Sequence, residues 1–103
     1  MALTRSFRET MLARAQRDPA YRDALLTEGV EALLSGDVDA GKAILRDYIN
    51  ATIGFGSLAS ATGTQPKSLM RMFGPDGNPT ARNLMAVIGE LQRASGVSLR
   101  VGV

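Results

Sequence analysis

With 103 residues, 45% of them hydrophobic and 21% charged, the chain is long enough for one small globular domain and too apolar to be disordered. It has no cysteine and no histidine, which excludes disulfides, thiolate nucleophiles, zinc fingers and the commonest general base. A net charge of +2 supports a nucleic-acid partner only weakly, and no apolar run approaches the roughly 18 residues of a membrane span.

The opening MALTRSFRET lacks the apolar core of a signal peptide, so a cytoplasmic location and no membrane partner are expected. Leu3, Phe7, Met11 and Ala15 recur every four residues with Leu12 beside them, which predicts an amphipathic helix. Thr4 or Ser6 can cap it, and Ser6 with Glu9 has the spacing of a capping box. Arg5, Arg8, Arg14 and Arg17 take its other sides, either as a solvated face or as a surface for a partner.

Asp18-Pro19 ends this helix and starts another, as an N-cap followed by a good first residue. Leu25, Leu26, Val30, Leu33 and Leu34 are its apolar positions. Gly29 weakens it by up to ~1 kcal/mol relative to alanine and leaves room for a close neighbour. Gly36 closes it, and Asp37 caps a third helix with Asp39 in its first turn. Helix capping explains this aspartate pair better than a metal does. Ile44, Leu45, Tyr48 and Ile49 form the buried stripe of the third helix, with Lys42, Arg46 and Asp47 expected outside. Residues 50–56 read as a turn, with Ile53 and Phe55 dropping into the core.

Residues 58–72, LASATGTQPKSLMRM, carry the functional reading. Leu58 and Ala59 open a short helix, and Gly63 falls where it must stop in a left-handed conformation. Thr64 and Gln65 cross the turn, and Pro66 begins a second helix. Leu69 and Met72 point back to the first helix, leaving Lys67, Ser68 and Arg71 outward. A short helix, a glycine turn and a helix with a polar, basic outer face fit a major groove. From Ser57 onward five cations (Lys67, Arg71, Arg82, Arg93, Arg100) stand against Asp76 and Glu90, a net +3. The seven cations and eight anions before Ser57 leave −1, so the basic half is the one with the motif.

The loop chemistry of FGPDGNPTARN follows, and Thr80 caps a last helix that buries Leu84, Val87, Ile88 and Leu91 and ends at Gly96. In the tail VSLRVGV, Val97, Leu99, Val101 and Val103 alternate with Ser98, Arg100 and Gly102, which predicts a β-strand. No other stretch offers it a partner strand, so pairing with a second copy or another protein is expected, unless the terminus is frayed. Val97, Leu99 and Val101 are thus candidate dimer contacts. The division expected is a helical extension over residues 1–36 and a DNA-binding domain over residues 37–103, not independent of each other.

LASATGTQPKSLMRM, then FGPDGNPTARNLMAVIGEL, then GVSLRV, resembles the DNA-binding antidote (antitoxin) proteins of bacterial toxin–antitoxin addiction modules, within the lambda-repressor-like helix-turn-helix class. Leu58-Ala59, Gly63, the stretch 67–72, Gly77-Asn78-Pro79 and the stretch 84–91 fall on the family's pattern in order, and the likeness covers about residues 44–101. Ser57 stands where many members carry an acidic residue or glutamine ahead of the Leu-Ala pair. The resemblance implies an all-α, lambda-repressor-like domain with an N-terminal helical extension and a short C-terminal strand. It implies a regulator that binds its own operator, often as a homodimer, and often holds a co-encoded toxin.

The mechanism expected has the second motif helix in the major groove of double-stranded DNA. Lys67 and Arg71 can reach guanine or phosphate, Gln65 suits adenine, and Thr64 and Ser68 lie beside them. Ser57 and the helix starts can take phosphates, with Asn78, Thr80 and Arg82 as further phosphate contacts. Thr80 is also a cap, Asn78 a turn residue, and Arg82 a plain surface arginine. No cofactor and no metal are expected, and with scattered carboxylates no enzyme. The competing reading is a helical protein-interaction module whose helix-turn-helix is vestigial.

Overall fold

A computed structural model describes residues 5–102. They form six helices: α1 (Arg5–Arg17), α2 (Pro19–Leu34), α3 (Val38–Ala51), α4 (Phe55–Thr62), α5 (Pro66–Met72) and α6 (Ala81–Ser95). Three of the expected caps set the boundaries. The Asp18 carboxylate accepts the Tyr21 N–H at 3.2 Å with Pro19 at the first helical position. Asp37 accepts the Ala40 N–H at 3.3 Å, and Thr80 Oγ1 accepts the Asn83 N–H at 3.1 Å. Each satisfies an amide that a helix start leaves without an intrahelical partner. α1 is described from Arg5, so Ser6 lies inside the helix, while Leu3 and Thr4 lie outside the described residues. α4 begins at Phe55, three residues earlier than the Leu58 expected of it.

One core joins α2 through α6. Leu26 of α2 packs with Leu45, Tyr48 and Ile49 of α3, Leu58 of α4, Leu69 of α5, Phe73, and Val87 and Leu91 of α6. The apolar stripe of α1 is buried only toward its C-terminal end. Ala15 is buried and Met11 and Leu12 half-buried, but Phe7 remains 51% exposed. Leu34, at the end of α2, is likewise exposed.

α2 and α3 cross closely, and two glycines allow it. A Cβ on Gly29 would meet Leu45 Cδ2 at 2.8 Å, and one on Gly41 would meet Leu33 at 2.6 Å and the Gly29 carbonyl oxygen at 3.1 Å. The entropy that glycine costs a helix interior is set against the dispersion contacts of the closer approach.

The C-terminal β-strand is not formed, and the architecture is all-helical: the described residues contain no strand. The alternation in the tail is real, since Val97 and Leu99 are half-buried and Ser98 and Arg100 exposed. Its inward side packs on the chain's own core. The Leu99 N–H donates to Gln92 Oε1 at 2.8 Å and the Val97 N–H to Ser95 Oγ at 3.2 Å. Side chains of α6 therefore take the role that the sequence reading gave to a neighbouring strand. A period of two records which side faces the core, and says nothing of a ladder partner.

Lys42 also differs from expectation. It is buried, 4% exposed, not outside. It stands three and seven residues before Leu45 and Ile49, on the same stripe, and its stem continues that apolar face.

Candidate nucleic-acid interface

α4 and α5 are built as a helix-turn-helix pair. Gly63 ends α4 at φ 69°, and its N–H and that of Thr64 both donate to the Ala59 carbonyl oxygen, the Thr64 bond at 3.0 Å. This left-handed cap turns the chain within three residues, and Pro66 starts α5. Leu69 is fully buried and Met72 half-buried against the core. The tilted Phe55–Phe73 ring contact, 6.2 Å between centroids, ties the start of α4 to the end of α5.

Among the described residues, the other side of α5 is left open. Lys67, Ser68, Met70 and Arg71 are exposed, and so is Gln65, whose side chain makes no capping bond. Thr64 is half-buried, and its hydroxyl accepts from Thr62 Oγ1 at 3.3 Å. Ser57, in the first turn of α4, is exposed. Among the described residues, Lys67, Arg71 and Arg82 take part in no ion pair, whereas Arg93 is engaged by Glu90 at 2.8 Å.

The second group lies where α6 begins. Asn78, Thr80 and Arg82 are exposed. Asn78 and Thr80 line an open groove of about 300 Å³ together with Ser68, Arg71 and Asn83. The fold thus joins contacts expected from two separate segments, 68–71 and 78–80. Asp76 borders the same groove and opposes an anion there. Asn83 and Met70 were not foreseen. Asn83 follows its cap by three residues, which is the signal that puts it on the groove side of the first turn.

The dimer contacts expected in the tail are not brought to the surface together. Val97 and Leu99 pack on the core, and Val101 is 83% exposed.

A cavity of about 440 Å³ borders none of these candidates. It is lined by α2, α3 and α6, including Arg22, Asp23, Tyr48 and Ser95. Burial raises the Tyr48 phenol above its usual pKa of 10.0, with a hydrogen bond to Ser95 opposing and the nearby Asp23 charge reinforcing the shift.

What holds α5 from behind escaped sequence reading. Lys42 Nζ donates to the carbonyl oxygens of Gly74 at 3.0 Å and Gly77 at 2.6 Å. Arg46 Nη1 donates to the Phe73 carbonyl oxygen at 3.4 Å. The loop after α5 is thereby bound to α3. A lysine in register with Leu45 and Ile49 was the available signal.

Comparison with known protein families, curated proteins and solved structures finds no match to this chain. No helix among the described residues is long and apolar enough to cross a membrane.

Proposed function

We propose that the protein is a sequence-specific DNA-binding transcription regulator of the cytoplasm that lays α5 in the major groove. One observation carries this reading. α5 exposes Lys67, Ser68 and Arg71 on the side away from Leu69, with neither cation in an ion pair among the described residues and with Gln65 at the helix start. Guanidinium and ammonium groups without an acidic partner are available to guanine edges and phosphates. Ser57, Asn78, Thr80 and Arg82 serve as backbone contacts that set register, and Arg71 reads bases.

The sequence resemblance adds that the operator is that of the protein's own operon and that a co-encoded toxin is the protein partner. A homodimer is part of the same proposal, because one module of this size makes few base contacts and a pair reads a palindrome.

The test is binding of the purified protein to the DNA upstream of its own gene, against scrambled DNA, over a range of salt. The wild type should prefer its own DNA and lose affinity steeply with salt. Lys67→Ala and Arg71→Ala should each flatten the dependence of log affinity on log salt by about one unit where the residue meets phosphate, or reduce sequence preference where it meets a base. Equal binding to both DNAs, unaltered by either change, would overturn the proposal and favour a protein-interaction module.

A further inference from the structure

α5 has only seven residues, too few to hold its own conformation or direction. Its N-terminal end is fixed by the turn through Gly63, and its middle by Leu69. At its C-terminal end the chain folds back. A Cβ on Gly77 would overlap the carbonyl oxygens of Arg71 and Met72, so the loop lies directly on the last turn of α5. Three carbonyls of this loop, those of Phe73, Gly74 and Gly77, converge on two cations of α3.

A buried ammonium is an expensive way to fill space, and an aliphatic side chain would pack the same site without desolvating a charge. The neighbouring Asp39 does not explain it. Its carboxylate is 93% exposed and 3.9 Å from Nζ, so the carbonyls are the main ligands of the Lys42 charge. Positive charge at the carbonyl end of a helix also complements the helix dipole.

We propose that Lys42, assisted by Arg46, is a positioning residue for α5: it latches the loop after the helix and so sets the direction in which Lys67, Ser68 and Arg71 are presented. This rests on the DNA-binding reading above. Lys42 touches no base, and its effect is on the discrimination between sequences.

The experiment compares wild type, Lys42→Met and Asp18→Ala at a temperature where all three are folded by circular dichroism. Asp18→Ala removes the α2 cap and supplies a destabilised control remote from α5. Two readouts are taken: the ratio of affinities for the gene's upstream DNA and scrambled DNA, and amide hydrogen exchange of the DNA-free protein.

Lys42→Met is expected to lower the affinity ratio on the order of tenfold, the effect of misplacing one bidentate base contact, with scrambled-DNA affinity unchanged. Exchange should quicken in residues 69–73 but not in α2, and Asp18→Ala should keep the wild-type ratio. A wild-type ratio in Lys42→Met, or an equal fall in Asp18→Ala, overturns the proposal. If wild type itself has no sequence preference, the regulator reading fails and Lys42 positions nothing for DNA. The exchange arm then decides only whether the latch holds α5, and unaltered exchange rejects that too. Should Lys42→Met not fold, Lys42→Gln, which keeps a donor at shorter reach, is read in the same way.

Discussion

Gln92 and Leu99 are joined across the end of α6: the Leu99 N–H donates to the Gln92 side-chain oxygen at 2.8 Å. This bond seats the tail on the core without a strand partner. Gln92→Leu should remove the acceptor, reduce stability by about 1 kcal/mol and quicken amide exchange at Leu99. Urea unfolding and hydrogen exchange check it. A variant with wild-type protection at Leu99 would mean that apolar packing of Val97 and Leu99 alone holds the tail.

Gly77 lies against backbone that cannot step aside. Gly77→Ala should destabilise the protein by about 1–3 kcal/mol, the range for inserting an atom into a packed site. The added methyl meets carbonyl oxygens of α5, so under the proposed function the variant should also lose its preference for the upstream DNA at temperatures where it is folded. Denaturant midpoints and the two-DNA comparison measure the two effects separately.

Gly63 and Gly56 are both open to solvent, with nothing within 4 Å of an added Cβ, yet their substitutions should have opposite signs. Gly63 has φ 69°, where alanine is disfavoured, so Gly63→Ala should cost about 1 kcal/mol. Gly56 is in the first turn of α4 without a positive φ, so Gly56→Ala should stabilise by about 0.5 kcal/mol. Melting temperatures of the two variants should fall on either side of the wild type.

Tyr48 makes stability depend on alkaline pH. Desolvation by burial is the main cause of its raised pKa, so the phenol ionises more readily in the unfolded chain. Its contribution is complete below the unfolded value of 10.0 and is lost as pH climbs from there toward the folded value. As pH rises above 10.0, wild type should therefore lose more stability than Tyr48→Phe. Urea unfolding of both proteins at several pH values tests this. Parallel curves would show that the hydroxyl is as accessible folded as unfolded.

Local signals were legible in the sequence. Asp18, Asp37 and Thr80 act on amides three residues away, and Gly63 and Gly96 set their own backbone angles, so one short window contains each cause. The exposed positions Gln65, Lys67, Ser68 and Arg71 follow from the helical period around Leu69 and Met72. Two matters were not legible. The tail's alternation resembles that of a strand, because a coil lying on a core also turns every second side chain inward. The charge of Lys42 points outward by sequence alone, because the carbonyls that satisfy it are 32 and 35 residues away in the chain. Sequence reasoning finds contacts made within a turn or two and loses those made by a single long side chain to distant backbone.

Gly41 and Lys42 are consecutive on α3 and look in two directions, Gly41 toward Gly29 and Leu33 of α2, Lys42 toward the carbonyls behind α5. Packing of the N-terminal helices and the hold on the loop behind α5 thus meet within one peptide unit. Under the proposed function, a protein that spread α2 from α3 on docking would draw Lys42 off its carbonyls and weaken the proposed hold on DNA. Thermodynamic reciprocity then requires DNA to weaken the hold on that protein by the same factor.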